Sequence, residues 1–291
     1  MKVLITGIDG LVGRAIANKL LDGYQIIGLS RSKNIDFDKI EYLFCDLSDK
    51  DCIDNFKDKK IDVIVHTAAS TSKTPLDIDL VRSNCLGVHT ISEIANIVGC
   101  KKFIFISGVT VIGKPEIIPV TEDHPIKPIS TYLLTKYFGE EYLSLTLKST
   151  CKLIVLRLTS PLGDGLAKEK IIPTFIKNTI AGKEITLFGK GKRVQNYVDV
   201  RDVANAVKLS IANDTSGVYN IAGEKSYSNF ELAEICVELF KSSSVITCNG
   251  LYDAEEDTKW IVSINKAQRD LGYKPQYSIQ ETLIELSKYY K

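Results

Sequence analysis

No stretch of this 291-residue chain approaches the roughly twenty consecutive apolar residues of a membrane span. Charge imbalance is missing too. The chain carries 37 Lys and Arg against 36 Asp and Glu, so neither a basic nucleic-acid surface nor an acidic partner tail is expected. Internal repeats and low-complexity segments are absent. Histidine is scarce, and His66, His89 and His124 are not grouped as a triad or a metal site. His66 ends a strand-like run, as a packed strand-end residue or one touching a ligand through its backbone. Cys45, Cys52, Cys85, Cys100, Cys151, Cys236 and Cys248 form no Cys-x-x-Cys, and several sit in apolar segments where a thiol acts as a small hydrophobe. The expectation is a reducing cytoplasm, with no disulfide, no zinc and no other metal. Residues 1–5 read as a core strand, which argues against a cleaved signal peptide.

What is present is concentrated at two places. The chain opens with a short apolar run followed by Thr6-Gly-Ile-Asp-Gly-Leu-Val-Gly13, and Leu11, Val12, Ala15, Ile16 and Leu20 then recur at helical spacing. Strand, glycine turn and helix together make a dinucleotide cradle. Gly7 makes the tight turn, Gly10 admits the pyrophosphate, and Gly13 lets helix pack on strand. The helix N-terminus offers free amides and a positive dipole end. The second place is Tyr132 and Lys136, four residues apart and on one helix face. Thirteen tyrosines make about one such pair expected by chance, so the pair gains meaning from the cradle. An ammonium beside a phenol favours the phenolate, which gives a usable acid/base.

Strand-like runs at 25–29, 41–44, 62–66, 102–107 and 152–157 alternate with helical candidates at 11–22, 79–98 and 131–149. This order predicts an α/β fold, a doubly wound parallel sheet with ligands at the strands' carboxyl ends. Past residue 160 the rhythm breaks at Pro161, Gly163, Gly165 and Pro173. A helix is expected over 172–181, a strand over 185–188 and a further sheet strand over 218–221. A dinucleotide-binding domain is expected over 1–160 plus about 196–222. A smaller, mainly helical C-terminal substrate lobe would comprise about 161–195 and 223–291.

These residues resemble the extended short-chain dehydrogenase/reductases, the NAD-dependent epimerase/dehydratase group. The likeness rests on the opening glycine motif, Cys45-Asp-Leu-Ser-Asp49, Asp62-Val-Ile-Val-His-Thr-Ala-Ala69, Asn84, and Pro128-Ile-Ser-Thr-Tyr-Leu-Leu-Thr-Lys136 with Gly139-Glu140. Leu187-Phe-Gly-Lys-Gly191, Asp199-Val-Arg-Asp-Val-Ala204 and Leu271-Gly-Tyr-Lys-Pro275 extend it nearly end to end. The resemblance implies a Rossmann-type fold and a nucleotide-sugar substrate. It also implies Tyr132 as general acid/base, with Lys136 holding the nicotinamide ribose and lowering the tyrosine pKa. It places Gly7, Asp9, Gly10, Leu11, Val12, Gly13, Arg31, Asp46, Leu47, Thr67, Ala68, Ala69, Asn84, Tyr132, Lys136 and Pro161 around the cofactor. A homodimer through the catalytic helix and its neighbour is implied as well.

Departures are informative. Relatives carry paired hydroxyl residues where this chain reads Phe105-Ile-Ser-Gly-Val-Thr-Val-Ile-Gly113, and Gly108 has no hydroxyl. Ser107 is the expected catalytic substitute, and Thr110 is placed against the substrate as the other hydroxyl within reach. Val109 and Thr110 stand where dehydratases typically carry Asp-Glu, which disfavours dehydration. Gln195 replaces an arginine that typically grips the sugar-nucleotide phosphate, with Arg193 or Lys192 as the compensating cation, and Ser160 replaces a substrate-contacting asparagine. In Gly28-Leu-Ser-Arg-Ser-Lys33, Ser30 stands near the usual acidic position. A hydroxyl beside Arg31 suits a 2′-phosphate, so the cofactor expectation is NAD(P) with a lean to NADP. Arg31 stacking on adenine or facing solvent is the alternative.

The leading expectation is therefore an NAD(P)-dependent epimerase or reductase of a nucleotide-activated sugar. The alternatives are an NADPH-dependent reductase of a small non-nucleotide carbonyl compound, or a non-catalytic dinucleotide sensor.

Overall fold

In the computed structural model, residues 1–32, 40–71 and 77–290 are described, so Lys33 of the Ser30-Arg31 turn lies outside them. The first half runs β1 (Lys2–Thr6), α1 (Leu11–Leu20), β2 (Gln25–Ser30), β3 (Glu41–Phe44), β4 (Val63–His66), α2 (Ile78–Val81), α3 (Gly87–Ile97), β5 (Lys102–Gly108), α4 (Thr131–Thr146) and β6 (Lys152–Leu158). Then follow β7 (Ser160–Leu162), α5 (Ile171–Ile180), β8 (Ile185–Leu187), β9 (Val194–Asp199), α6 (Val200–Ala212) and β10 (Gly217–Ile221). The chain closes with β11 (Ser226–Ser228), α7 (Asn229–Leu239), β12 (Ile246–Cys248), α8 (Asn265–Leu271) and α9 (Ile279–Ser287).

Seven strands form one parallel sheet in the order β10-β6-β5-β4-β1-β2-β3. Covered on both faces, its central strands are apolar throughout. Within β1, Val3 and Ile5 pack toward α1 and α6, while Leu4 packs with Val88, Ile91 and Ile94 of α3 and Leu143 of α4. The chain order reverses beside β1, with β2 and β3 on one side and β4 on the other. That reversal is the crevice where such sheets hold ligands.

Apart from α6, β10 and α8, which join the main core, the elements after residue 160 gather around a separate apolar cluster. It includes Leu162, Phe175 and Ile176 of α5, Leu187, Leu232 and Cys236 of α7, and Leu283 and Leu286 of α9. Capping boxes start α7 (Ser228 with Glu231) and α9 (Ser278 with Glu281), satisfying otherwise orphaned amides.

Two expectations are corrected here. The single helix expected over 79–98 is broken into α2, a π-helical turn at Arg82–Leu86, and α3. Asn84 lies in that turn, where it reaches both a neighbouring loop and α4. The cysteines are not all free: Cys45 and Cys52 are bridged, their Cα atoms 5.6 Å apart. The 3-10 turn Lys50–Phe56 folds the chain back onto the end of β3 and brings the two thiols together. Among the described residues no helix is long and apolar enough to cross a membrane.

Candidate active site

The carboxyl ends of β1, β2, β3 and β4 surround a cavity of about 260 Å³. Gly7, Asp9, Gly10, Arg31, Asp46, Leu47, Thr67, Ala68 and Ala69, all singled out from the sequence, line it. Gly7 turns the chain at φ 64°, and a β-carbon there would strike the Ala68 backbone at 2.7 Å. A β-carbon on Gly13 would stand 2.2 Å from the Gly7 carbonyl oxygen, so only glycine lets α1 approach this closely. Gly10 lines the cavity and caps α1 without a side-chain partner, so no capping side chain occupies the first-turn amides. Thr67 Oγ1 donates to the Thr6 carbonyl at 2.7 Å and ties the β4 loop to the cradle. A shape reserved by absent side chains, open amides at a helix start and an acidic group at the far rim together fit a dinucleotide.

That rim is set by Asp46 and Arg31, 3.6 Å apart. Against the upward pull of burial, hydrogen bonds from Ser48 and the Arg31 charge hold the Asp46 carboxyl below its usual range. At the end of β2 stands buried Ser30, whose Oγ accepts from Ser32 N at 2.9 Å. Among the described residues that end this strand, Ser30, Arg31 and Ser32, none carries a carboxylate.

Leu11, Val12, Gly13, Asn84, Tyr132, Lys136 and Pro161 do not line this cavity. Leu11 faces a different groove beside α6 and α9, and Val12 packs against the core. Pro161 is paired in β7 with Val198. Asn84 is committed to holding the scaffold. Its Oδ1 accepts from Ser70 N at 2.8 Å, and its Nδ2 donates to the Ser70 carbonyl at 3.1 Å and to Thr135 Oγ1 at 2.9 Å. Its amide thus latches the β4 loop to α4 and is not free for a cofactor. Leu29, Ser30, Cys45, Ser70 and Ser83 complete the lining. Of these, Cys45, Ser70 and Ser83 were missed by sequence reading as contact positions, and each adjoins a residue that was named.

Tyr132 and Lys136 rise from the first turns of α4, which Ser130 caps by accepting from Leu133 N. Gly139 brings this helix onto the sheet, since a β-carbon there would meet the Phe105 ring at 2.6 Å. Lys136 consequently sits with Nζ 4.4 Å over Phe105, deeply buried. Burial, partly opposed by the Glu140 charge, brings its pKa down to about 8. Burial pushes Tyr132 up. Burial alone sets this direction, opposite to the depression expected from the sequence, and the Lys136 ammonium faces the Phe105 ring. His66 stacks on the same Phe105 and meets Thr6 Oγ1 at 2.7 Å. Burial, then the Lys136 charge, takes His66 to about 3, so it is neutral.

Beneath α4 lies a buried ion pair. Arg157 Nε and Nη2 donate to the Glu140 carboxylate, the shortest contact 2.6 Å. Ser107 Oγ donates to Glu140 Oε1 at 2.5 Å. Thr110 is exposed in the 3-10 turn Val109–Ile112 that follows β5 and packs on α4.

In the second half, Arg193 pairs with Glu255. With its amide oriented to satisfy both partners, Gln195 accepts from Arg193 Nε at 2.8 Å and Nη2 at 3.1 Å. Ser160 is exposed at the start of β7, opposite Tyr197.

A parallel sheet with this cradle at its reversal point is the scaffold of a Rossmann-type dinucleotide-binding protein. The NAD dependent epimerase/dehydratase family model matches residues 3–222, and the chain belongs to that family. A Methanocaldococcus jannaschii protein named "Putative UDP-glucose 4-epimerase" is 31% identical over 298 residues, covering 96% of this chain and 95% of that one. A dTDP-glucose 4,6-dehydratase of Streptomyces niveus is 26% identical over 323 residues, covering 100% and 93%. Among solved structures, the UDP-glucose 4-epimerase of Thermotoga maritima with UDP-glucose superposes with a TM-score of 0.90 at 24% identity, covering 100% and 98%. The chain is a sugar-nucleotide epimerase/dehydratase-family enzyme of a group that depends on NAD.

Proposed function

We propose that this protein epimerises or reduces a nucleotide-activated sugar, with Tyr132 exchanging the proton at a carbinol or keto oxygen. The observation that carries the reading is the packing of the Lys136 turn on Phe105 of β5, with His66 of β4 between it and Thr6 at the start of the Gly7–Gly13 cradle. Gly139 and Gly13 each permit a close approach that a β-carbon would forbid. Gly7, Asp9, Gly10, Arg31, Asp46, Leu47 and Thr67 to Ala69 would hold the dinucleotide, whose nicotinamide supplies the acceptor and donor of hydride. As the phenolate, Tyr132 takes the proton of a carbinol oxygen, and it returns that proton to the keto oxygen on reduction; its half-buried setting raises its pKa and favours the proton-giving form. Lys136 would charge the floor of the site, and Arg31, paired with Asp46 at the rim, would meet a 2′-phosphate.

Elimination of water needs an acid and a base on the turn after β5. Val109 is buried there and Thr110 carries no carboxyl, so epimerase or reductase is preferred to dehydratase. The elements 161–195 and 223–291 would close over the sugar nucleotide as a substrate lobe. Exposed Leu134, Phe138 and Leu145 on α4, with Ile97 at the end of α3, would meet a second copy in a homodimer. A second reading, an NADPH-dependent reductase of a small carbonyl compound, is favoured by one observation. Arg193, the cation nearest the missing phosphate-binding arginine, is already held by Glu255 and Gln195.

The test is product analysis by chromatography after incubation with NAD+ and UDP-glucose, UDP-N-acetylglucosamine or dTDP-glucose, with Tyr132→Phe as control. A C4 epimer formed by the wild type alone supports the proposal. NADPH oxidation with small ketones, without conversion of any nucleotide sugar, would transfer it to the second reading.

A further inference from the structure

We propose that Thr110, and not Ser107, is the catalytic hydroxyl of this site, donating a hydrogen bond to the substrate oxygen whose proton Tyr132 exchanges. The inference rests on the oxidoreductase reading above. It deepens that reading by assigning the second donor the reaction needs. Charge builds on the reacting oxygen as its proton leaves, and a fixed donor aimed at it stabilises the transition state.

Three positions at the carboxyl end of β5 could supply that donor. Ser107 is 4% exposed, and its one proton is spent on Glu140 Oε1 at 2.5 Å. The carboxylate it serves is fixed by Arg157 on the opposite side, so Ser107 has no reason to turn toward the cleft. Gly108 has no hydroxyl, although its backbone (φ −127°, ψ 142°) is one any residue adopts. Thr110 differs from both. Val109, Val111 and Ile112 are buried in one cluster with Val120, which anchors the turn and leaves Thr110 as its exposed member. Its Oγ1 lies 3.3 Å from the point where a β-carbon on Gly108 would stand. The Thr110 hydroxyl therefore reaches back over the gap left by Gly108, on a turn that packs against the helix bearing Tyr132. Thr110 keeps its own proton throughout. Only a hydrogen bond is formed and lost, so the proton and electron balance of the reaction is unchanged.

The test compares Thr110→Val, Thr110→Ser, Thr110→Ala, Ser107→Ala and the pair Gly108→Ser/Thr110→Ala, with UDP-glucose as probe. Thr110→Val should lose about a hundredfold in kcat with KM within about threefold and an unchanged melting temperature, because the lost bond tightens only in the transition state. Thr110→Ser should stay within about fivefold of wild type. The double variant should recover at least about tenfold over Thr110→Ala by returning a hydroxyl to position 108. In a crystal structure with dinucleotide and UDP-glucose bound, Thr110 Oγ1 should lie within hydrogen-bonding distance, roughly 3 Å, of the reacting sugar oxygen. Overturning results are Thr110→Val within threefold of wild type, or Ser107→Ala showing the pure kcat loss in its place. If the wild type converts no nucleotide sugar but reduces small ketones with NADPH, the substrate reading fails alone, and the same variants decide the Thr110 assignment on the ketone. Inactivity on both overturns both.

Discussion

Replacing Lys136 with methionine should make the protein more stable at neutral pH while disabling it. Lys136 is buried against Phe105 and titrates near 8 instead of the ordinary 10.5. At 1.36 kcal/mol per pH unit, holding its ammonium in place costs about 3 kcal/mol. Methionine fills a similar volume without a charge and gives up only the contact of the ammonium with the ring, roughly 0.5–1 kcal/mol. A net gain of about 2 kcal/mol is expected at pH 7. For a chain of this size, with unfolding entropy of roughly 0.6 kcal/mol/K, that is a rise in Tm of about 3–4 °C. The unfolded chain keeps this proton up to about pH 10.5 and the folded chain releases it near 8. Between those values the unfolded state binds more protons, so wild-type stability rises with pH. The penalty is complete below about pH 8 and gone above about 10.5. Urea unfolding of both proteins without cofactor, at pH 7 and pH 10, should show the advantage of Lys136→Met shrinking by about 2 kcal/mol. An equal difference at both pH values, or a variant less stable at pH 7, would refute the reasoning.

Tyr132→Phe should lower kcat by 10²–10⁴-fold, roughly the worth of a positioned proton donor, with dinucleotide affinity by calorimetry nearly unchanged; a modest kcat effect would remove Tyr132 as acid/base. Glu140→Ala should cost about 3–5 kcal/mol in urea unfolding, because it strands the buried Arg157 charge and the Ser107 hydroxyl; a loss under 1 kcal/mol would mean that water reaches the pair. Arg31→Ala should weaken NADP+ by about tenfold and leave NAD+ within about twofold, as expected for a lost charge-assisted bond to a 2′-phosphate; equal weakening would place Arg31 against the adenine or the Asp46 carboxylate alone.

The sheet was legible because its central strands are covered on both faces and so read as unbroken apolar runs, and because the glycines of the cradle sit at a strand-to-helix junction. The pocket followed from the same residues: the positions next to Gly7, Asp46 and Thr67 converge at the sheet's reversal point whatever the loops do. Long-range pairings were not legible. Ser107, Glu140 and Arg157 lie far apart in sequence, and nothing local says that a strand-end serine will face a buried carboxylate. Lys136 is close enough to Tyr132 in the chain to suggest a shared charge, yet its ammonium is set by the ring of Phe105 on another element. Asn84 was recognisable as special. Its work as a latch between Ser70 and Thr135 depends on a π-helical turn that helical periodicity cannot distinguish from a continuous helix. The Cys45–Cys52 bridge escaped notice because spacing alone does not show that a 3-10 turn folds back on β3.

The central claim is that a nicotinamide dinucleotide occupies the cavity at the carboxyl ends of β1, β2, β3 and β4 and serves Tyr132. The most direct measurement is to purify the protein without added cofactor, denature it, identify any released nucleotide, and titrate the emptied protein with NAD+ and NADP+ by calorimetry. A nucleotide released in near-equal amount, or micromolar binding of either one at a single site, is the predicted result. The absence of both would contradict the account.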